Sequence, residues 1–276
     1  MRFLTICRQL TPHIIVSIKT RTMKTVRKHP FLSAVFFLLF LQVPVFISGV
    51  AGSNHKTLKL PVHTVAVSEE KSLDEKIMAE ADSIYEHMDL SETGLASQAF
   101  QLAFKGYNKL MQKGLVNLSN ILTIVDFSKS SSEKRLFVID MEEQKVLFQT
   151  LVAHGRNSGL RFATNFSNKP ESNKSSLGFY LTLDTYYGGN GYSLKLRGLE
   201  KGINDKAYDR AIVVHGSDYV NATFAGSNGF LGRSFGCPAV PRKYAAPIIN
   251  TIKNGSVLFI YHPSKNYVNQ STILNS

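Results

Sequence analysis

Cys237 and His215 are the two residues of this sequence whose types could together perform nucleophilic catalysis. A thiol with an ordinary pKa of about 8.5 is mostly protonated at neutral pH, so it needs a neighbouring imidazole to accept its proton. His215 stands with Gly216 at the end of a β-branched run, and Cys237 follows 22 residues later between Gly236 and Pro238. The pattern predicts a catalytic nucleophile, Cys237, and its general base, His215, with Gly216 freeing the backbone beside the base.

The groups next to this pair predict how it is held. An imidazole base needs an acceptor that orients it, and a backbone carbonyl near Gly216 or the hydroxyl of Ser217 could serve. The adjacent amides of Gly236 and Cys237 are candidates for holding the oxyanion that forms during acyl transfer.

Each member of the pair also has an interpretation without chemistry. Cys237 could be an inert cysteine of the core, and His215 could be a histidine that only closes a strand. If an N-terminal signal is removed, Cys7 is lost with it and Cys237 is the only cysteine left, so it cannot form an internal disulfide. A lone thiol in an oxidising compartment is a liability unless it is buried or used. The pairing of two uncommon residues, each beside a glycine and beside β structure, favours nucleophile and base.

The N-terminal segment has the composition of an export signal. Residues 1–30 carry seven basic residues and no acidic one, and an apolar run and then the small residues of 48–53 follow. This order predicts export to the periplasm or cell envelope, with residues 1–52 as the signal and Met23 as an alternative start. The other interpretation is a membrane anchor, although Phe31–Ile47 is 17 residues long and a spanning helix needs about 20.

The net charge of +12 would suit a nucleic-acid-binding protein if it were spread over the chain. Without residues 1–30 the chain has 25 basic and 20 acidic residues, a balance of +5, and no dense basic cluster that could follow a phosphate backbone. Nucleic acid is therefore not expected as a partner, and a membrane is expected only through an uncleaved signal. No feature of the sequence indicates a cofactor or a metal.

The polarity and apolar spacing of residues 53–117 predict a linker followed by two helices. The part before Ser72 is polar, and Ser72 and Glu75 form a capping box that starts a helix. Apolar residues recur at helical spacing over 73–88 and again over 96–111. We interpret these apolar faces as packing surfaces without catalytic groups.

From about residue 120 the pattern changes to short runs of β-branched and aromatic residues. Six strands are predicted, at Leu122–Phe127, Arg135–Asp140, Lys145–Val152, Leu177–Leu183, Ala211–Val214 and Ser256–Tyr261. Many short strands with little helix between them predict a mainly β domain over 118–276, a sandwich or an open barrel with its functional groups on loops.

The segments around His215 and Cys237 resemble a known family, the L,D-transpeptidases with the YkuD-type catalytic fold. That family has a His-Gly strand end and then a Ser/Thr-His-Gly-Cys segment, and this chain matches at 215–216 and at 234–237. It departs at Phe235, where the common pattern has a second histidine. Further segments are similar to the murein L,D-transpeptidase catalytic domain branch, and they are Val152–Gly159, Ser175–Tyr180, Leu199–Asp205 and Gly232–Ala239.

The resemblance implies a YkuD-like β-rich catalytic domain, a cysteinyl acyl-enzyme and the stem peptides of peptidoglycan as substrate. Cys237 would attack the carbonyl of an L-centre, diaminopimelate or lysine, that precedes a terminal D-residue, and an amine of a neighbouring stem would resolve the thioester. His215 would take the thiol proton and later give it to the leaving amine. Substrate contacts are expected from residues near this pair or in the similar segments, namely Ser234, Arg233, Tyr219, His154 and Ser176. Arg233 could meet a stem carboxylate.

Three alternatives stay open at this point. A hydrolase would cut the same bond, as an L,D-carboxypeptidase or endopeptidase, because Phe235 leaves the use of an amine acceptor open. A non-catalytic cell-wall-binding module would bind without thiol-dependent turnover. A zinc peptidase would use imidazole and carboxylate ligands, for which the candidates are His154, His215, His262 and Asp218, but the sequence lacks a compact His-Glu-x-x-His pair.

Overall fold

The computed structural model of the protein describes residues 62–276. The export signal predicted for residues 1–52, the alternative start at Met23 and the first part of the predicted linker lie outside these residues. In the described part, no helix has both the length and the apolar character needed to cross a membrane.

Two helices precede the sheet, as the apolar spacing predicts. Helix α1 spans Val62–His87 and α2 spans Ser97–Gln112. The helix start predicted at Ser72 is wrong, because α1 is already helical from Val62 onward. The overlooked signal is Pro61, since proline suits the beginning of a helix and not its interior. The apolar face of α2 is buried, and it consists of Ala99, Phe100, Ala103, Phe104, Tyr107 and Leu110.

One eight-stranded sheet forms most of the remaining domain. Its strands are β1 (Ile121–Asp126), β2 (Leu136–Asp140), β3 (Lys145–Thr150), β4 (Gly178–Gly188), β5 (Gly191–Gly198), β6 (Val213–Ser217), β7 (Ala239–Pro241) and β8 (Val257–Tyr261). Their order is β3-β2-β1-β8-β4-β5-β6-β7, with parallel pairing of β1 to β8 and of β6 to β7 and antiparallel pairing elsewhere. The sheet is barrel-like and nearly closed. The predicted mainly β fold, preceded by two helices, is confirmed.

All six predicted strands occur, and the sequence pattern misses two others. Strand β5 has the alternation Tyr192, Leu194, Leu196 between two glycines, which is a strand pattern. Strand β7 is only three residues long, and so short a strand shows no periodicity.

Three further helices complete the described chain: α3 (Ala222–Asn228), α4 (Arg242–Ile252) and α5 (Lys265–Gln270). Helix α4 packs closely on β6 at Gly216, where an added Cβ would lie 2.9 Å from the Cβ of Ala245 and 3.1 Å from the Cα of Arg242. Gly216 does not have a positive φ. The glycine is therefore required by helix packing, and the prediction that it frees the backbone beside His215 is wrong.

The two faces of β6 have different surroundings. Val214 belongs to the main core, as does Ile212 just before the strand. Because side chains alternate along a strand, Val213, His215 and Ser217 point to the opposite face. His215 is paired there with Ala239 of β7, which belongs to a second, smaller apolar cluster.

Candidate active site

Cys237 lies on the segment that leads into β7, beside the beginning of β6. In the parallel pairing of these strands His215 is opposite Ala239, so continuing the register places Cys237 beside Val213. The thiol of Cys237 donates to the carbonyl of Ala211, with 3.7 Å between sulfur and oxygen. The amide of Val213 donates to the sulfur. Two backbone groups of the entry to β6 therefore hold the predicted nucleophile.

The acidity of the Cys237 thiol reflects opposing influences. Burial raises its pKa and is the largest of them, while the amide of Val213 and the guanidinium of Arg210 lower it. The outcome is a pKa above the ordinary value, so the thiol is protonated at neutral pH in this conformation. Nucleophilic attack then requires a base.

His215 lies buried in the middle of β6. Its Nδ1 is 3.1 Å from the carbonyl oxygen of Gly216. A carbonyl can only accept, so Nδ1 carries the proton and Nε2 keeps a free lone pair. Burial lowers the pKa of the imidazole, with a smaller contribution of the same sign from Arg242. His215 is therefore neutral at neutral pH, as a general base must be, and a carbonyl at Gly216 orients it as the sequence predicts.

Cys237 and His215 come to neighbouring positions at one edge of the sheet without a direct hydrogen bond between them in the described structure. The pairing of β6 with β7 sets His215 opposite Ala239, two residues after Cys237, and Cys237 itself precedes β7 and packs against the main core. The thiol donates to the carbonyl of Ala211, which precedes β6, and not to the imidazole.

Ser234 shapes the turn that presents Cys237. Its hydroxyl donates to the carbonyl of Cys237 at 2.7 Å and accepts from the amide of Gly236 at 3.1 Å. The side chain is buried and used within the turn, which does not agree with the predicted substrate contact. The amide of Gly236 is engaged in the same way, whereas the amide of Cys237 interacts with its own sulfur.

Arg233 and Tyr219 both precede this turn in sequence, and the side chain of Arg233 is exposed while that of Tyr219 is partly exposed. The guanidinium of Arg233 donates to the carbonyls of Arg156 and Gly159 at 3.3 and 3.4 Å. The ring of Tyr219 packs on Gly232, and the charge of Cys237 contributes to a raised pKa of the phenol, after burial. Tyr219 is therefore close enough to the sulfur to respond to its ionisation.

His154 is a core residue, and its placement does not agree with the predicted position in the cleft. Its exposed fraction is 0%. Nδ1 accepts from the guanidinium of Arg135 at 2.8 Å, and Nε2 donates to the carbonyl of Gly159 at 3.1 Å. Burial, followed by the charge of Arg135, lowers the pKa of His154 to about 4. The buried guanidinium needs an acceptor, and His154 supplies it.

Ser176 is also buried, and it contacts a residue that the sequence analysis misses, Arg210. The hydroxyl of Ser176 donates to the carbonyl of Ser167 at 2.8 Å and accepts from Arg210 at 2.6 Å. This placement does not agree with a substrate contact by Ser176. Arg210 directly precedes Ala211, the acceptor of the Cys237 thiol. No spacing in the sequence connects these positions, because the contacts join distant loops.

A cavity of about 250 Å³ adjoins the backbone that holds the thiol. It is lined by residues of β4, β5 and the entry to β6, namely Tyr186, Lys195, Leu196, Tyr208, Ala211, Ile212 and Val213. Ala211 and Val213 also bind the sulfur of Cys237 through their backbone groups, so the cavity adjoins the segment that holds the predicted nucleophile, although Cys237 does not line it.

The structure does not assemble the zinc site considered as an alternative. His154 lies in the core against Arg135, and Asp218 forms an ion pair with Arg242 at 2.7 Å. Within residues 62–276, no three histidine, cysteine or carboxylate side chains are grouped so that they could bind a metal ion.

Comparison with known proteins gives a family match. The profile of the L,D-transpeptidase catalytic domain family matches residues 91–261, which include both Cys237 and His215. No curated protein sequence matches the chain.

Solved structures of L,D-transpeptidases are similar to this chain at low identity. One from Mycobacterium smegmatis has 13% identity and a TM-score of 0.32, covering 52% of this chain and 59% of its own. L,D-transpeptidase 3 from Mycobacterium tuberculosis has 12% identity and a TM-score of 0.32, with 52% and 61% covered. One from Xylanimonas cellulosilytica has 13% identity and a TM-score of 0.30, with 56% and 68% covered. The match to the first of these spans about three fifths of that structure's length.

Proposed function

The chain belongs to the L,D-transpeptidase catalytic domain family, and from this premise we propose that it is a cysteine acyltransferase that crosslinks peptidoglycan stem peptides. The observation that carries the proposal is the arrangement at β6. A neutral imidazole, fixed through Nδ1, lies on β6, the strand whose entry holds the thiol of Cys237, within the segment matched by the family.

The proposed reaction begins with proton transfer from Cys237 to Nε2 of His215. The thiolate attacks the carbonyl carbon of an L-centre in the donor stem, and the bond to the terminal D-residue breaks. The proton held by His215 passes to the leaving amine. The amine of a second stem then attacks the thioester, the carbon–sulfur bond breaks, and the thiol is regenerated with a new amide.

The first step requires the thiol to leave the carbonyl of Ala211. A rotation of the Cys237 side chain toward the middle of β6, or one bridging water, would connect it to His215, because the pairing of β6 with β7 brings the two segments side by side. Catalytic hydrogen bonds are often long or absent before substrate binds. The amide of Cys237 is the candidate donor to the oxyanion of the intermediate.

Hydrolysis of the same bond is the rival outcome, and Phe235 is the observation that favours it. This residue replaces a histidine of the common pattern, and its ring is 68% exposed beside the nucleophile. Its partner is Arg156, whose guanidinium lies 5.8 Å from the ring centre. An exposed aromatic ring supplies no proton acceptor for an incoming amine.

Mass spectrometry of products separates the two outcomes. We expect incubation with a disaccharide tetrapeptide to give a crosslinked dimer together with one released D-amino acid. The Cys237→Ala variant is the matched control and should give neither. A released D-amino acid without a dimer would show the hydrolase, and retained binding with no thiol-dependent product would show a wall-binding module.

We also propose that the protein is exported through residues 1–52, because basic, apolar and small residues follow one another in that order. N-terminal sequencing of the protein from an expressing cell tests this. We expect a mature start near residues 49–54, whereas a membrane-bound protein that keeps Phe31–Ile47 would show the anchor.

A further inference from the structure

Arg210 lies half-buried between the 167–176 loop and the turn that presents Cys237. Its guanidinium donates four hydrogen bonds to this loop, from Nη1 to the Ser167 carbonyl (2.7 Å) and the Ser176 hydroxyl (2.6 Å), and from Nη2 to the Lys174 carbonyl (2.6 Å) and the Ser172 hydroxyl (3.3 Å). Within the described residues it forms no ion pair with a carboxylate. One side chain thus fixes the path of the loop and keeps an uncompensated positive charge.

The same loop rests on Gly236, the residue before the nucleophile. The hydroxyl of Ser175 donates to the carbonyl of Gly236 at 3.1 Å. Gly236 has a φ of +129°, and a Cβ there would lie 2.8 Å from the carbonyl oxygen of Lys174 and 3.3 Å from Nη2 of Arg210. The Lys174 carbonyl, with Ile212 and the guanidinium behind it, therefore fills the space that any side chain at residue 236 would need, immediately beside Cys237.

The backbone after Arg210 also serves the sulfur. Ala211 has a φ of +52°, a left-handed conformation that is unfavourable for a residue with a Cβ. Two hydrogen bonds hold it there, from its amide to the Tyr208 carbonyl at 3.0 Å and from the Ile212 amide to the Ala207 carbonyl at 2.9 Å. The turn places the Ala211 carbonyl at the Cys237 thiol and the Arg210 side chain at the 167–176 loop, which rests on the residue before it.

The other charged or titratable groups near the turn are neutral, paired or directed elsewhere, and Arg233 donates to the carbonyls of Arg156 and Gly159. His215 is neutral, and Tyr219 keeps its proton because burial raises its pKa. Lys195, in the adjoining cavity, forms an ion pair with Asp184 at 2.8 Å. Lys174 meets Gly236 through its backbone carbonyl. The charge of Arg210 lowers the pKa of the Cys237 thiol, against the larger effect of burial, which raises it.

We propose that Arg210 is a positioning residue of the active site, which clamps the 167–176 loop onto the Cys237 turn and stabilises the thiolate by its charge. This role rests on the proposed function of Cys237 as the nucleophile. The positive charge of Arg210 offsets two influences that favour the protonated thiol. These are the burial of the sulfur and its hydrogen bond to the Ala211 carbonyl. Proton transfer to His215 then produces a thiolate that a nearby cation keeps in place.

The test is the rate of Cys237 alkylation by iodoacetamide as a function of pH in the purified protein. Two variants separate charge from hydrogen bonding. Arg210→Gln keeps a donor to the loop without the charge, and Arg210→Lys keeps the charge without the fork of donors. Arg197→Gln is the matched control, because this arginine is exposed on β5 away from the loop. Circular dichroism and thermal unfolding establish that each variant is folded.

We expect Arg210→Gln to move the midpoint of the alkylation profile up by about one pH unit, about a tenfold slower reaction near neutral pH. Arg210→Lys should keep the wild-type midpoint while amide hydrogen exchange in the 167–176 loop becomes faster. If Arg210→Gln does not fold, Arg210→Met takes its place as the uncharged variant. An uncharged, folded variant with the wild-type midpoint would overturn the proposal, as would a Lys variant shifted as far as the Gln variant.

Alkylation needs no peptidoglycan, so it distinguishes this proposal from the proposed function. The predicted shifts without any crosslinked or hydrolysed product would leave the role of Arg210 standing and remove the enzymatic function. Wild-type turnover together with an unshifted Arg210→Gln profile would support the enzymatic function and overturn the role of Arg210.

Discussion

The Nδ1–H of His215 donates to the carbonyl of the next residue, Gly216, at 3.1 Å, and this contact determines which nitrogen can act as a base. It leaves the lone pair of Nε2 free to accept a proton. The carbonyl belongs to a residue clamped under α4, so the orientation of the imidazole depends on helix packing behind the strand. The consequences can be tested one residue at a time.

Gly216→Ala should destabilise the protein by about 1–3 kcal/mol. The new methyl group overlaps α4, so the helix or the strand must shift to make room for it. The nearest atom, the Cβ of Ala245, is only 2.9 Å from the position of the added carbon. Urea unfolding measures the change. Gly226→Ala is the control, since this glycine of α3 has no atom within 4 Å of an added Cβ. Equal stabilities of the two variants would contradict the packing role.

His154 should make stability fall at acid pH. Its pKa in the folded protein is about 4, below the unfolded value of about 6.5, so folding favours the neutral ring. This stabilisation is complete above about pH 6.5 and is lost as the pH falls toward 4, by about 3 kcal/mol.

His154→Gln isolates that effect, because its amide can accept from Arg135 and donate to Gly159 without titrating. The difference in unfolding free energy between wild type and variant should move in favour of the variant from pH 7 to pH 4. Parallel pH profiles would show that His154 does not titrate on unfolding.

Phe235→His should change the acylation rate of Cys237 by no more than about threefold. The ring is 68% exposed and lies beside the guanidinium of Arg156, so we expect that restoring the family's histidine alters neither the thiol nor the Gly216 contact. The rate of adduct formation with a carbapenem checks this. A tenfold change would assign residue 235 to the acylation step rather than to acceptor use.

Sequence patterns predict the parts of this site that depend on local interactions and miss the parts that depend on contacts between distant segments. Local periodicity predicts α2 and six strands, and the glycine-flanked pair predicts Cys237 and His215 as neighbours on β structure. The sequence places His154 wrongly in the cleft, because its hydrogen-bond partner is the buried Arg135 and no local sequence pattern reveals that contact. Arg210 is missed for the same reason, since its four acceptors belong to a loop more than thirty residues earlier in the chain.

Ser234 shows a second limit. Its type and its place next to the nucleophile fit a substrate contact as well as a turn, and only the hydrogen bonds to Gly236 and Cys237 decide between them. The same bonds occupy one predicted oxyanion donor. The sequence identifies the residues of such a turn. Which of their polar groups are already hydrogen-bonded depends on the three-dimensional path of the loop.

The acylation rate of Cys237 in a folded His215→Ala variant tests the central claim most directly. Mass spectrometry follows the carbapenem adduct over time at neutral pH, with Cys237→Ala as the variant that forms none. Loss of a general base slows such a step by about 10²–10⁴-fold, and we expect a decrease in that range. A rate equal to that of the wild type would contradict the assignment of His215 as the base of Cys237.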